Sequence, residues 1–157
     1  MKTFIVIILA ATSLFSVSCK SVDSVSKQEE IAQITNKIES RNYTFVPQRA
    51  IPMEGKAINL DSSFSLKVSK DTINSYLPYY GRAYTAQPLE GGGIKFVSTD
   101  FKYNLAEDSK GMRNIVIEAN TTNNKYKMYL SIGNTGSATL TVQDNNRQSI
   151  TFYGDIE

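Results

Sequence analysis

From Tyr43 onward, apolar and polar side chains alternate with a period of two. Phe64, Leu66 and Val68 flank Ser65 and Lys67, and Phe101, Tyr103 and Leu105 flank Lys102 and Asn104. The same alternation runs through residues 115–119, 126–132, 138–142 and 150–153. A strand turns successive side chains to opposite faces, so each run reads as half-buried, one face on a core and one in water. The separators are turn-like: Glu54-Gly55, Asp61-Ser62, Gly91-Gly92-Gly93, 108–111, Thr122-Asn123-Asn124, 133–136 and Asp144-Asn145-Asn146. Successive strands with short turns predict an antiparallel meander. The fold class is therefore mainly β, with about eight or nine strands in a curved sheet, sandwich or incomplete barrel.

Two stretches depart from this rhythm. Ser26-Lys27-Gln28-Glu29 matches a capping box, and Ile31, Ile34 and Ile38 follow at helical spacing. This predicts one N-terminal helix of about fifteen residues, ending near Arg41-Asn42, with its isoleucine stripe on the β domain. Docking of that stripe to a partner or membrane surface is the lesser reading. In residues 71–84, Asp71 is expected to cap a single helical turn that Pro78 ends, and Gly81 permits a positive φ. The three glycines at 91–93 are read as a hairpin tip. No Lys-Ser/Thr follows them in phosphate-loop spacing.

Ahead of the helix stands an apolar run of about a dozen residues, Phe4 to Phe15, preceded by Lys2 and followed by Ser16-Val17-Ser18-Cys19. A charged start, a short apolar stretch and small residues describe a secretory signal. The run falls short of the roughly 20 residues a membrane-spanning helix needs, and no second such run follows. A lone cysteine after the cleavage site resembles a bacterial lipoprotein, in which Cys19 takes lipid and becomes the new N-terminus. Ser16 stands where Leu is common in that pattern. The alternative is an ordinary signal peptide with a free thiol left over. The expected organisation is signal peptide 1–18, lipidated Cys19 with a tether through residue 26, and a single β-rich domain at 27–157. No acidic run follows Cys19, which favours an outer-membrane anchor facing the periplasm over one at the cell surface.

Composition narrows the chemistry. Removing residues 1–18 takes away one Lys and no acid from seventeen Lys and Arg and fifteen Asp and Glu, so the rest is nearly neutral. No concentrated basic patch calls for nucleic acid. One cysteine allows no internal disulfide, so an apolar core must hold the domain. The chain has no His, which removes Ser-His-Asp and Cys-His nucleophiles and the commonest zinc ligand. No catalytic residue, metal site or cofactor is expected; carboxylate-only glycoside hydrolysis remains formally open.

The candidate binding residues are Tyr76, Tyr79, Tyr80, Arg82 and Tyr84, four tyrosines and an arginine within nine positions. Apolar rings with hydroxyl handles, beside a planar five-donor fork, suit sugars, peptides or an anionic group. The competing reading is structural: Leu77, Tyr79 and Tyr80 plug one end of the sheet and Arg82 pairs with an acid. Glu90, Glu107 and Asp108 are read as solvated turn acids. Asp144-Asn145-Asn146 lacks the calcium-loop pattern, and Arg147 is read as half of a structural ion pair.

Leu77-Pro78-Tyr79-Tyr80-Gly81-Arg82-Ala83, the later 136–142 (GSATLTV) and the closing 146–154 (NRQSITFYG) resemble one family. It is the lipoprotein family catalogued as domain of unknown function 4251, found mainly in Bacteroides-type bacteria. The resemblance covers about residues 27–157 and implies an exported, usually lipidated, compact β-rich domain. It implies no known activity, so no catalytic residue carries over. The preferred reading is a non-enzymatic, lipid-anchored envelope protein that binds a small ligand, glycan or protein, with the membrane as partner through Cys19. The alternatives are a carboxylate-dependent glycan hydrolase and a structural or assembly component of the envelope.

Overall fold

A computed structural model describes residues 22–84 and 92–157. Among the described residues, one helix, α1 (Val22–Glu39), precedes ten strands. These are β1 (Tyr43–Pro52), β2 (Ile58–Asn59), β3 (Ser65–Val68), β4 (Ile73–Leu77), β5 (Ile94–Ser98), β6 (Phe101–Glu107), β7 (Arg113–Asn120), β8 (Lys125–Ile132), β9 (Ser137–Asp144) and β10 (Arg147–Ile156). They form one antiparallel sheet ordered β5-β4-β3-β1-β10-β9-β8-β7-β6, with β2 a short addition to β1. Two meanders, β3 to β5 and β6 to β10, meet at β1. The first and last strands pair, from Phe45 with Ile156 to Pro52 with Ile150, and the sheet curls into a nearly closed barrel. Its edges, β5 and β6, are neighbours in the chain.

The period-two alternation becomes the burial pattern. In β8, Tyr126, Met128, Leu130 and Ile132 point inward while Lys125, Lys127 and Tyr129 are exposed. Phe45, Leu66, Ile73, Leu77, Ile117, Met128, Leu140 and Phe152 are fully buried. Each such side chain contributes about 1.5–3 kcal/mol relative to exposure. A bulge at Gln48 breaks the β1–β10 register next to Pro47, where the missing N–H cannot serve the ladder. Gly154 lies opposite; any Cβ there would overlap the Val46 carbonyl and Pro47 Cα.

One end of the barrel is covered by α1. Ile34 and Ile38 are buried, and the buried Arg113 at the start of β7 donates to Thr35 Oγ1 on the helix (2.8 Å) and to Asn134 (3.3 Å). Arg41, at φ 50°, ends the helix and stacks over Tyr103. Burial pushes the Tyr43 hydroxyl well above the usual phenol range, and Tyr103, its hydrogen-bond partner at 3.3 Å, is also raised by burial.

Three local expectations are corrected. The helix starts at Val22 rather than at a Ser26 cap. No Gly or Pro lies between Val22 and Ser26, so nothing stops the helix extending backward through the capping-box pattern. The helical turn expected after Asp71 is instead β4, with Ile73, Ser75 and Leu77 inward. Ser75 hides the alternation because it is polar yet buried, its hydroxyl donating to the Ile94 carbonyl at 2.8 Å. Gly93 is not at a hairpin tip but at the base of the β4–β5 connection, where a Cβ would stand 2.5 Å from the Leu77 carbonyl oxygen. Gly91, residues 1–18, where a signal peptide is expected, and Cys19 lie outside the described residues. No helix among the described residues is long and apolar enough to cross a membrane.

Candidate functional site

The end of the barrel opposite α1 is built on the β9–β10 turn. Asp144 accepts the Asn146 N–H at 2.6 Å, an Asx turn that reverses the chain. Its other oxygen meets Arg147 Nε at 2.9 Å, and the two side chains are only 3% and 5% exposed. Arg147 also donates to the Gly93 carbonyl (3.1 Å) and to the Tyr126 hydroxyl (3.4 Å). Its guanidinium lies over the Tyr79 ring, 4.9 Å from the centroid. The structural ion pair read for Arg147 is thus present, and it is fully desolvated.

Around it the Leu77–Ala83 motif docks through a single antiparallel bridge at its end. Gln148 N–H donates to the Arg82 carbonyl (3.1 Å), Tyr84 N–H to the Asn146 carbonyl (2.7 Å), and Ala83 bridges Arg147. The Tyr79 hydroxyl sits between the carbonyls of Arg82 (2.9 Å) and Gln148 (3.1 Å), and burial raises its pKa. Tyr80 packs half-buried against the core.

The five candidate residues therefore do not converge. Tyr79 and Tyr80 plug the barrel end. Arg82 extends into solvent and meets Glu54 at 3.5 Å, an exposed pair of small energetic weight. Tyr76 projects from β4 away from the core, stacked on Phe64 at 5.9 Å beneath the Lys95 ammonium. Only Tyr84 reaches a cleft.

That cleft, about 630 Å³, opens where β7 to β10 end. Along it Lys102 pairs in register with Glu118, Glu118 with Lys127, and Lys127 with Gln143, one outward row across four strands. Met53, Tyr84 and Gln148 wall it, and Tyr126 and Arg147 lie at its back. Lys127 meets Glu118 at 3.2 Å, and that hydrogen bond raises the lysine pKa. Lys102 and Lys125 have no ion-pair partner among the described residues. Sequence reading missed this row because its members lie up to forty-one positions apart and only strand register aligns them. Equal spacing of the polar positions from successive turns was the one available signal.

Of the three acids read as turn acids, Asp108 sits in a turn and Glu107 is the last residue of β6. Asp108 accepts the N–H groups of Lys110 (2.8 Å) and Met112 (3.0 Å). Glu107 is exposed, and Glu90 lies outside the described residues. Among the described residues no group of three or more His, Cys, Asp or Glu side chains is placed to hold a metal ion.

Fold and site define a mainly-β domain: a nearly closed antiparallel barrel with a helix over one end and a tyrosine plug in the other. The family model for a domain of unknown function (DUF4251) matches residues 25–156, and the chain belongs to that family. Its fold is similar to the crystal structure of a DUF4251 family protein from Bacteroides eggerthii, with a TM-score of 0.63 over 82% of this chain and 87% of that chain. The identity is 14%, so the likeness is one of fold. No curated protein matches the chain.

Proposed function

We propose that this is an exported envelope protein, lipid-anchored at Cys19 and facing the periplasm, that binds its ligand without transforming it. The ligand seat is the cleft beside Tyr84. The observation that carries this reading is the pair of uncommitted lysines, Lys102 and Lys125, next to the exposed Tyr84 ring and the exposed amide of Gln143. Two ammonium groups favour an anionic ligand, and rings beside amides suit the mixed polar and apolar faces of a sugar. Hydrolysis by paired carboxylates needs two acids free to act on one bond. The acids lining this cleft are Glu118, held by Lys127, and Asp144, held by Arg147.

The test is titration of the detergent-solubilised full chain with carboxylate-bearing oligosaccharides, against neutral ones. Lys125→Ala and Tyr84→Ala should each weaken acidic-sugar binding about tenfold, while Tyr76→Ala leaves it unchanged. Wild-type affinity in both cleft variants would remove the seat from this cleft.

A further inference from the structure

The outward face of β7 to β10 continues from the cleft as two more rows. Val116, Tyr129, Thr141, Thr151 and Ile51 are aligned in register across five strands, and beside them run Asn114, Ser131, Thr139, Tyr153 and Arg49. Tyr129 and Tyr153 are 38% and 49% exposed, and the Lys127 ammonium borders the Tyr129 ring, 5.6 Å from its centroid. They lie two strands and two residues apart, about 12 Å by strand spacing and rise. The hydroxyls between them form a surface: Thr141 and Thr151 bond each other at 3.0 Å, and Ser131 donates to Asn114 at 2.6 Å. A second cleft of about 630 Å³ lies beyond, lined by Ser131, Thr139, Tyr153 and Arg49. Over the two clefts the Arg147–Asp144 and Lys127–Glu118 pairs cancel, leaving Arg49, Lys102 and Lys125 against Asp155.

We infer that an acidic oligosaccharide chain lies across this face, from the cleft at Tyr84 to the cleft at Tyr153, with two non-adjacent rings of the chain on Tyr129 and Tyr153. This rests on the binding function proposed above and extends it from one seat to a track. A sugar's C–H face stacks on an aromatic ring while its hydroxyls exchange bonds with Thr, Ser and Asn. The excess cationic charge matches carboxylates on the chain.

The test is the dependence of affinity on chain length, using oligogalacturonates of graded length with maltooligosaccharides as the neutral control. Wild-type affinity should rise with length until the chain spans both clefts. Tyr129→Ala and Tyr153→Ala should each remove about tenfold of that gain and leave the shortest oligomer's affinity unchanged; Tyr129→Phe should retain it. Both side chains are exposed, so circular dichroism and the unfolding midpoint should stay those of wild type. Affinity that is flat with length but lost in Lys125→Ala would overturn the track and keep the cleft. No binding at any length would overturn both, and equal binding of neutral chains would overturn the charge argument for the track.

Discussion

The Arg147 guanidinium stacks 4.9 Å over the Tyr79 ring, and the Tyr79 hydroxyl reaches back to the carbonyl of Gln148, the residue next to Arg147. Plug and barrel are therefore locked at both ends of one side chain. Arg147 in turn neutralises Asp144, whose carboxylate is 3% exposed. Removing only the cation strands a buried charge, whereas removing both charges does not. Arg147→Met should cost about 3–5 kcal/mol, read as a fall in urea midpoint at constant m-value. Adding Asp144→Asn should recover much of that loss, because an amide oxygen still accepts the Asn146 N–H. Failure of the double variant to recover would mean the cation–π contact with Tyr79, not charge balance, dominates.

Gly154 faces the bulge in β1, where the Val46 carbonyl and Pro47 Cα fill the space a Cβ needs. Both neighbours are backbone and cannot rotate away. Gly154→Ala should therefore destabilise by about 1–3 kcal/mol through overpacking. Gly133 is the control, since the nearest atom to a Cβ there is the Ser137 carbonyl oxygen at 3.5 Å. If thermal melts of the two variants coincide, the bulge tolerates movement that its geometry does not suggest.

Much of this fold was legible in the chain because burial and alternation coincide. Ile115, Ile117, Met128, Leu130, Leu140 and Phe152 sit inward as the period of two requires. Failure came where a polar side chain is buried with a private partner: Ser75 bonds the Ile94 carbonyl and made a strand look like an interrupted turn. Arg113 is likewise a buried cation whose partners Thr35 and Asn134 are set by topology, whereas the ion pair read for Arg147 closes on Asp144, three residues away in the same turn. The tyrosine cluster was visible, but alternation within it sends Tyr76 outward on β4 while Tyr79 turns in toward Arg147. Adjacency in sequence did not become adjacency in space. The row Lys102, Glu118, Lys127 and Gln143 shows the converse, distant residues joined by register alone.

The Tyr43 hydroxyl gives the domain an alkaline limit. Burial raises its folded pKa far above the ordinary phenol value of about 10. Above pH 10 the unfolded chain loses that proton and the folded chain keeps it. The unfolded state then binds fewer protons, so stability is full below about pH 10 and declines as pH rises further. Tyr103 titrates in the same direction. Tyr43→Phe should cost about 1 kcal/mol at neutral pH through the lost Tyr103 bond. It should also flatten the fall in unfolding midpoint above pH 10. Parallel pH profiles for variant and wild type would place the alkaline limit elsewhere.

The anchor proposed at Cys19 acquires a tighter geometry from the helix start. Three residue steps separate Cys19 from Val22, where α1 begins, a reach of at most about 11 Å. A lipidated Cys19 would therefore hold the start of α1 near the bilayer surface, while Ile34 and Ile38, which pack on the barrel, lie about 18–24 Å further along the helix. One acyl chain binds a membrane only marginally, at about 0.8 kcal/mol per buried CH₂, while two or three make release negligible. Cys19→Ala should abolish palmitate labelling and move the protein from the membrane to the soluble fraction. Inserting a flexible segment after Ser21 should leave labelling intact and increase tryptic cleavage at the exposed Lys27, in the turns of α1 nearest the anchor. Membrane attachment that survives Cys19→Ala would overturn the anchor; unchanged cleavage at Lys27 with labelling intact would overturn the close approach of α1 to the membrane alone.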